Sequence, residues 1–481
     1  MQNRSRFLAL TGGAAAAALG VPGLGLPQPA FAQDESDTCY NPAPGKTPVP
    51  YQLPPVTSVS VRKSAFDPTY DWALLRKAYA KMKSLDPIPG SGKTPPFNSM
   101  AAQRNMHAWF CATCSGTPND IHFSWSFMPW HRGFLYFHER ILGSLAGDMS
   151  LRLPYWDWEV PARTVAPPQY YDGPLMDPTR FLKNGQSCVR QICHQGPPSF
   201  MQPARIGALM KLSFSDFAGE GGANPQGGTP EVTCHGFVHN STGGIPSFDF
   251  NTNKCLPPGT CDLPCDNPGG DMSDLNRASR DPIFYAHHAN IDRLWWSWEN
   301  YPGNVDAEGA FREQTFAYYD EKGNWVSLNA GQMIPAEKTM GYRYSTAIKP
   351  ATAPVLHQIP LALQNGKLAI APDQQAEIKA AKAATLNLRH LVIPGPGEFQ
   401  IRAGGRVVGE FSIVSHGRHK GAHKEPVRSA NISVPIAPGT AATLQGTRLT
   451  IVPAEGHAGP LMRAMPGMAA PSIGSVSISV E

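Results

Sequence analysis

The sequence predicts a mainly helical core followed by a small antiparallel β-domain. Stretches within residues 33–345 repeat apolar side chains at helical spacing, whereas residues 387–481 contain short alternating runs separated by Gly and Pro. The 48 prolines and 46 glycines among 481 residues add many loops. A chain of this length can bury a large core and contain more than one domain.

Residues 1–32 have the features of an export signal peptide. A basic start precedes a small-residue apolar stretch, and residues 30–32 read A-F-A, an A-x-A cleavage site. Gly and Pro interrupt the apolar run before it reaches the ~20 residues that a membrane span needs. Arg4 and Arg6 resemble a twin-arginine signal but are not adjacent. We expect an exported protein, periplasmic or secreted, with the export route left open.

Three helices are expected within residues 33–345, after a Pro-rich arm whose prolines exclude regular structure. The first has apolar residues at helical spacing from about Asp67 and stops before Pro87. The second follows Phe127. The third begins at Asp281 and Pro282, where an N-cap precedes a proline in the first turn.

The C-terminal part divides into a linker and a β-domain. Residues 346–386 are rich in Ala, Pro and Gln, which predicts a linker with one short helix around 374–384. Residues 387–481 contain LRHLVIP, EFQIRA, VVGEFSIVS, ISVPIA, RLTIVPA and VSISVE. These runs predict a small antiparallel β-sandwich.

Charge and cysteine content narrow the function classes. A net charge of +4 gives no reason to expect nucleic acid or an anionic membrane as a partner. Nine cysteines in an exported chain predict disulfides, and the odd number requires another fate for one of them. Local pairing is plausible within two groups: Cys188 with Cys193, and the set Cys255, Cys261 and Cys265.

Six histidines form two groups along the chain: His107, His122 and His131, then His235, His239 and His288. His235 and His239 are four residues apart, so on a helix both imidazoles project from one face and can share a metal. Neither group contains a carboxylate, which di-iron and hydrolytic di-zinc sites usually recruit. A structural zinc site has four protein ligands, whereas each of these groups has three histidines. The pattern therefore predicts two copper ions.

Two motifs carry a resemblance to a known family. HFSWSFMPWHRGFLYFHE at 122–139 resembles the first copper motif of the tyrosinase and polyphenol oxidase family, and DPIFYAHHANID at 281–292 resembles the second. LPYWDWE at 153–159, HGFVH at 235–239, YYDEKGN at 318–324, GYRY at 341–344 and GEFSIVSHGRHK at 409–420 are similar to the plant-type branch. The resemblance implies a four-helix bundle that holds a type 3 dicopper site.

The resemblance also implies roles for individual residues. The first copper would be bound by His107, His122 and His131, and the second by His235, His239 and His288. His287 would face the substrate pocket beside the ligands. Phe127 and Phe284 would pack against ligand imidazoles, and Arg132 and Asp292 would hold the ligand helices in place as an ion pair.

Cys111 accounts for the odd cysteine under the same resemblance. In plant-type members, a cysteine four residues after the first ligand forms a thioether with the second ligand, here His122. That bond would leave eight cysteines for four disulfides. Cys114 is close enough in sequence to compete for this role or to pair with Cys111.

The implied reaction is the oxidation of catechols to o-quinones with O2. Glu231 matches the family's acid that holds an active-site water, and it would act as a base through that water. Hydroxylation of monophenols stays open. Gly236 replaces an asparagine that the family associates with that step, and Asn240 follows His239 instead. Leu275 aligns with the residue over the first copper and is smaller than the phenylalanine of many plant members, which would ease access for bulkier phenols.

Two alternatives remain beside the catechol oxidase. One is a tyrosinase with dominant monophenolase activity. The other is a haemocyanin-like oxygen-binding protein, although a single exported unit lacks the repeated domains of such carriers. The expected partners are small phenols, O2 and a copper chaperone, and the oligomeric state is left open. The β-domain is expected to cover the site, and His416, His419 and His423 are expected in a solvated loop.

Overall fold

The computed structural model describes residues 39–88, 90–111, 120–180, 201–244, 269–306, 309–350, 357–393, 395–415, 428–454 and 471–480, with backbone alone for 248–249, 254–255 and 453. The expected export signal, the cysteines 114, 188, 193, 261 and 265, the side chain of Cys255, and the histidines 416, 419 and 423 lie outside the described part. The two histidine groups lie within it.

Helices dominate the first part of the described chain and position the histidines. The α-helices are α1 (Trp72–Lys83), α2 (Met100–Phe110), α3 (Phe127–Ala146), α4 (Pro203–Ala208), α5 (Phe214–Phe217), α6 (Gly236–Gly243), α7 (Ile283–Glu299), α8 (Ala310–Glu313), α9 (Ala336–Thr339), α10 (Pro372–Ala380) and α11 (Pro438–Ala442). A π-helical turn, Glu231–His235, leads directly into α6. None of the described helices combines the length and apolar character that crossing a bilayer requires.

The three predicted helices are confirmed as α1, α3 and α7. The Asp71 side chain caps α1 by accepting a hydrogen bond from the Leu74 backbone N–H at 2.9 Å. The Asp281 side chain accepts from the Ile283 N–H at 2.9 Å and so caps the start of α7. Apolar residues of α1, α3 and α7 belong to one buried cluster, which forms the core of the helical part.

Strands occur in both parts of the chain. They are β1 (Val49–Pro50), β2 (Ser60–Arg62), β3 (Gly219–Glu220), β4 (Gln226–Gly227), β5 (Phe248–Asp249), β6 (Lys254–Cys255), β7 (Thr315–Tyr319), β8 (Trp325–Asn329), β9 (Tyr342–Tyr344), β10 (His357–Gln364), β11 (Lys367–Ala369), β12 (Ala384–Ile393), β13 (Gly397–Ala403), β14 (Arg406–Ile413), β15 (Arg428–Ile436), β16 (Leu449–Pro453) and β17 (Ser475–Val480). The helical part carries the small sheets β1-β8-β7, β2-β9 and β5-β6.

The C-terminal part contains two sheets of order β11-β10-β17-β12-β15-β4-β3 and β14-β13-β16. Side chains from both sheets form one buried cluster, which includes Leu386 and Ile432 from the first sheet and Phe399 and Phe411 from the second. The predicted alternating runs are confirmed as strands, because their apolar side chains share this core.

The predicted linker boundaries are wrong. Residues 357–364 form β10, which pairs with β17 in antiparallel register, and the expected short helix lies at 372–380 as α10. Ile359 and Ile378 are buried in the C-terminal cluster, so these elements belong to the sheets. At the other end, Arg293 Nε donates to the Thr346 carbonyl at 2.7 Å, which ties 346 to α7. Composition alone did not reveal these tertiary contacts.

The two parts of the chain contact each other closely. β4, from the helical part, extends the larger C-terminal sheet by pairing with β15 at Gly227 and Ala430. Phe123 and Val232 insert into the C-terminal cluster. Two ion pairs cross the same boundary, Asp120 with Arg428 and Asp216 with Arg389. The β-sheets therefore lie directly against the elements that carry the histidines.

Candidate metal centre

The first histidine group is assembled from three separate elements. His107 lies on α2, His122 on the loop before α3, and His131 on α3. All three side chains are buried, and their ring nitrogens lie within 4.8 Å of one another. The Nε2 atoms of His107 and His131 are 3.4 Å apart. These imidazoles converge on one point, as a metal site requires.

The second group comes from two adjacent helical segments. His235 ends the π-helical turn, His239 lies one turn later on α6, and His288 lies on α7. The rings of His235 and His239 are 4.5 Å apart, as expected for residues on one helical face. The Nε2 atoms of His239 and His288 are 3.2 Å apart. The two groups are neighbours, since His131 stacks on His288 at 4.3 Å between ring centroids.

Backbone carbonyls fix which ring nitrogen faces the centre. The Nδ1 atoms of four histidines donate to carbonyl oxygens at 2.6–3.1 Å, namely His107 to Leu275, His131 to Phe127, His235 to Glu231 and His239 to Met272. A neutral imidazole that donates from Nδ1 offers its Nε2 lone pair to a ligand. Burial lowers the pKa of His131 to about 3 and that of His239 to about 4, which keeps both rings neutral.

The donor set fits copper. Two Nε2 lone pairs that face each other at 3.2 Å repel unless they share a cation or a proton. Nε2 of His235 is buried and has no hydrogen-bond partner in the part of the chain that the structure describes. A buried nitrogen left unpaired in this way is costly, and a bound ion removes the cost. Two groups of imidazoles without a carboxylate are a donor set that copper accepts well.

His287 lies against the second group, and one of its ring nitrogens is within 4.8 Å of ligand atoms of His235, His239 and His288. The Trp158 indole N–H donates to His287 Nδ1 at 3.1 Å, and an indole can only donate. Nδ1 is therefore the acceptor, and in the neutral ring Nε2 carries the proton. Burial lowers the pKa of His287 well below its ordinary value, while the His235 backbone carbonyl acts in the opposite direction. Nε2 has no hydrogen-bond partner among the described residues, so its N–H is left for a molecule bound in the site.

Aromatic side chains surround the imidazoles as predicted. The Phe127 ring lies 4.7 Å from both His131 and His235, measured between centroids. The Phe284 ring lies 4.0 Å from His288 and 4.9 Å from His107. Each phenylalanine thus contacts both histidine groups, which fixes the rings and excludes water.

A match to known proteins covers this site. Residues 97–203 and 179–301 match the family model described as the common central domain of tyrosinase, and together these ranges contain all six histidines. In these residues the chain is similar to the tyrosinase family.

Similar proteins come from plants. The chain is 30% identical over 341 residues to the latent form of a chloroplastic polyphenol oxidase from Prunus armeniaca, which covers 65% of this chain and 52% of that protein. It is 29% identical over 346 residues to the chloroplastic catechol oxidase B of Solanum tuberosum, covering 66% and 54%. The chain therefore spans about half the length of the curated relatives it matches.

A solved structure shows the same fold over most of the chain. A latent aurone synthase, a polyphenol oxidase from a natural source, superposes with a TM-score of 0.65 at 19% identity and covers 92% of this chain and 94% of that one. At this identity the likeness concerns the fold alone. It extends over the C-terminal sheets as well as the tyrosinase domain.

A buried charge network lies behind the second group. Arg132 and Asp292 form the predicted ion pair at 2.6 Å. Arg62, which the sequence analysis did not single out, contacts Asp292 at 3.2 Å and Glu139 at 3.0 Å. The hydroxyls of Tyr342 and Tyr344 each donate to Asp292 at 2.6 Å. Tyr342 and Tyr344 were noted only as part of the GYRY motif, without a predicted contact, and Arg62 lies in a segment without a motif.

Glu231 is buried beside the loop that carries His122. Its Oε1 accepts a hydrogen bond from the Phe123 backbone N–H at 2.7 Å. Oε2 has no hydrogen-bond partner among the described residues, and burial raises the pKa of this carboxyl well above its usual value. Because a buried carboxyl oxygen seldom stays unpaired, this atom marks a position for a water or another polar group.

The cysteines only partly agree with the prediction. Cys111 is a buried free thiol whose Sγ lies 2.9 Å from the His107 carbonyl oxygen and 3.5 Å from His107 Nδ1. Cys39 is disulfide-bonded. Cys234 is also a buried free thiol, so four disulfides from the eight remaining cysteines is wrong. The sequence did not reveal that Cys234 lies inside the helical core, where its thiol donates to the Pro230 carbonyl.

The residues expected to set phenol selectivity all contact the C-terminal part. Leu275 packs with Cys111 and Val414, and its N–H donates to the Ser415 carbonyl at 2.9 Å. The Asn240 side-chain amide donates to Ser412 Oγ. Gly236 lies against the Ser412 backbone. These contacts had no signal in the sequence, because they join residues more than a hundred positions apart.

A cavity of about 400 Å³ lies where the helical and C-terminal parts meet. It is lined by His122 and Phe123 on one side and by His390 and Arg428 on the other. Arg428 forms an ion pair with Asp120 and lies 4.8 Å above the Phe123 ring. The C-terminal part thereby holds the residues on both sides of His122.

Proposed function

We propose that this protein oxidises catechols to o-quinones with O2 at two copper ions. The first ion would be held by His107, His122 and His131, and the second by His235, His239 and His288. The observation that carries the proposal is the pair of adjoining, buried, all-imidazole groups. The tyrosinase-family match and the printed names of the plant relatives, polyphenol oxidase and catechol oxidase, support it.

A catechol loses two electrons and two protons when it becomes an o-quinone. Bound copper ions supply the redox chemistry, because together they accept both electrons. Glu231 is proposed to receive a proton through a water held at its unpaired Oε2. The raised pKa of this carboxyl opposes that role in the metal-free protein, and the positive charge of nearby copper would lower it.

The surrounding side chains are proposed to orient the reactants. His287, fixed by Trp158, presents a ring N–H instead of a lone pair and serves as a hydrogen-bond donor beside the second copper. Phe127 and Phe284 hold the ligand rings and keep the centre dry. Arg132 and Asp292 fix α3 and α7, which carry His131 and His288.

Steady-state kinetics on the copper-loaded protein test this proposal. We expect rapid quinone formation from 4-methylcatechol, two copper ions per chain, and loss of both after treatment with a chelator. A haemocyanin-like oxygen carrier would bind two copper ions with little turnover. Rates on tyrosine and tyramine against dopamine separate catechol oxidation from dominant monophenol hydroxylation, which we propose as the weaker activity.

The C-terminal part is proposed to be a β-sandwich domain that covers a four-helix bundle site. The six ligand histidines are at most 2% exposed, and residues 412–415 contact Gly236, Asn240 and Leu275. An engineered protease site between Pro350 and His357 tests this lid. Cleavage should raise the rate on catechols. Equal rates before and after cleavage would make the domain structural or a copper-loading aid.

We further propose that the protein is exported, through a signal peptide at residues 1–32, to the periplasm or the exterior. The expected reactants are small phenols and O2, with a copper chaperone as a possible protein partner, and neither nucleic acid nor a membrane is proposed. Fractionation of the producing cells, with N-terminal sequencing, tests this. Cleavage before Gln33 is the expected result, and a protein retained in the cytoplasm with Met1 intact would contradict it.

A further inference from the structure

The helical segment that carries the proposed copper ligands His235 and His239 also packs against β14, a strand of the C-terminal part. On α6, Gly236 packs against the end of β14 so closely that a Cβ atom built on it would lie 2.2 Å from the Ser412 carbonyl oxygen. Real Cβ atoms essentially never approach a backbone oxygen this closely. Glycine is therefore the residue that lets the strand reach the helix.

One helical turn later, the side chain of Asn240 forms hydrogen bonds with the same strand. Its side-chain nitrogen donates to Ser412 Oγ at 2.8 Å and to the Ile413 carbonyl at 3.1 Å. Asn240, Ser412 and Ile413 are all buried, so these hydrogen bonds are protected from water. Loss of Asn240 would leave a buried carbonyl and hydroxyl unpaired, which is costly.

Helix geometry explains why these two residues act together. Residues four apart share a face, so Gly236 and Asn240 form one face and His235 and His239 the neighbouring one, about 100° away. The strand β14 therefore packs on the helix face next to the one that carries the copper ligands. The preceding π-helical turn, Glu231–His235, is a feature often found at functional sites.

These contacts with β14 conflict with a role of Gly236 and Asn240 in phenol selectivity. An asparagine amide whose hydrogens are both bonded to the strand is not available to a phenol while the strand is docked. Likewise, no side chain fits at Gly236 beneath the Ser412 carbonyl. Selectivity residues must face the substrate, whereas these two face another part of the protein.

We infer that Gly236 and Asn240 are docking residues for β14, and that they determine how firmly the C-terminal part covers the copper site. The inference rests on the proposed catechol oxidase with a covering domain. It replaces the interpretation of these two residues as determinants of monophenol hydroxylation. Any side chain at 236 should loosen the cover, whatever its chemistry.

The test compares Gly236→Ala with Gly236→Asn in the full-length, copper-loaded protein. The readouts are hydrogen exchange of the β14 amides and the rates on tyramine and 4-methylcatechol. We expect both variants to speed β14 exchange by roughly tenfold or more, because a backbone clash must be relieved. Both substrate rates should rise together, with an unchanged ratio. Gly133→Ala on α3 is the steric control, since its Cβ would meet Tyr318 Oη at 2.4 Å inside the core of the helical part.

The outcomes separate docking from the proposed activity. If Gly236→Ala leaves β14 exchange unchanged, or if only Gly236→Asn alters the tyramine to 4-methylcatechol ratio, the docking role is wrong. If β14 exchange rises but neither wild type nor variant oxidises 4-methylcatechol, the docking role stands and the proposed function fails. Asn240→Ala, which adds no clash, should also speed β14 exchange, and this variant decides the question where Gly236→Ala does not fold.

Discussion

His288 and His122, one from each histidine group, are held in place by different parts of the molecule. His288 lies on α7, whose Asp292 is tied to Arg132 and Arg62 within the helical core. His122 lies instead on a loop, and the residues on either side of it contact Arg428 from a C-terminal strand. His288 is thus anchored by the helical part that contains it, whereas His122 depends in part on the C-terminal sheets.

The part of the chain that supplies the metal ligands is therefore not the only part that holds them in place. All six proposed ligands lie within residues 97–301, which match the tyrosinase model, but support for His122 crosses to the C-terminal part. Outer contacts of this kind typically change metal affinity by about 10–100-fold. Loss of the Arg428 contacts is therefore expected to influence the first copper, through His122, more than the second.

Removal of a ligand should have the largest effect. His131→Ala should lose the first copper and His288→Ala the second, and each should reduce catechol oxidation by more than about 100-fold, beyond the range of supporting contacts. Copper analysis and steady-state rates check this. His357→Ala, an exposed histidine on β10, is the control and should retain both ions. Full activity in either ligand variant would show that the ligand assignment is wrong.

Breaking the charge network should be the next largest effect. Asp292→Asn removes the carboxylate that Arg62, Arg132, Tyr342 and Tyr344 share, and leaves buried positive charge under-compensated. We expect the free energy of unfolding to fall by about 3–5 kcal/mol. Denaturant unfolding measures it.

The matched control for the network is Asp172→Asn, which breaks an exposed pair with Arg76. A surface pair of this kind contributes about 0–1 kcal/mol. Equal losses in the two variants would mean that the network does not anchor α7.

Several features of the site were predictable from sequence, because they depend on local spacing. The i,i+4 pair at His235 and His239, the cap at Asp281 and the aromatic positions Phe127 and Phe284 follow from short segments. The helix α2, which carries His107, was not predicted. Its buried residues include Gln103, Arg104 and Asn105, so its buried face lacks the apolar periodicity that marks a helix.

Features that depend on distant residues were not predictable. The strand β10 lies in an Ala- and Pro-rich segment, and its identity comes from pairing with β17 more than a hundred residues later. Similarly, the donor to His287 is Trp158, which is 129 positions away. No periodicity within either segment encodes such a partner, since the pairing is decided by the packed fold.

Loss of the contact that crosses to His122 should weaken the first copper selectively. Arg428→Met removes the ion pair with Asp120 and retains much of the apolar contact with Phe123. We expect about tenfold faster release of one copper ion to a chelator and little change for the other.

The control is Arg389→Met, which breaks an ion pair with Asp216 across the same boundary. Arg389 is not among the residues that line the cavity beside His122. If both variants release copper alike, general loosening of the C-terminal part explains the result and the specific support of His122 is contradicted.

The smallest effect should come from Cys111, whose proposed thioether would hold His122 from the other side. Forming the bond joins Sγ to the imidazole and removes two hydrogen atoms, with O2 as the oxidant at the copper centre. Burial raises the pKa of the Cys111 thiol well above its usual value, so the thiolate is disfavoured and the bond should form only after copper loading.

The intact mass should then be lower by two hydrogens in the copper-loaded protein than in the apoprotein, and a cross-linked peptide should join Cys111 to His122. Cys111→Ser should release the first copper less readily than Arg428→Met does, because His122 would still be held by its contacts with the C-terminal part. Cys111 that is fully alkylated by a thiol reagent after unfolding of the copper-loaded protein would exclude the thioether.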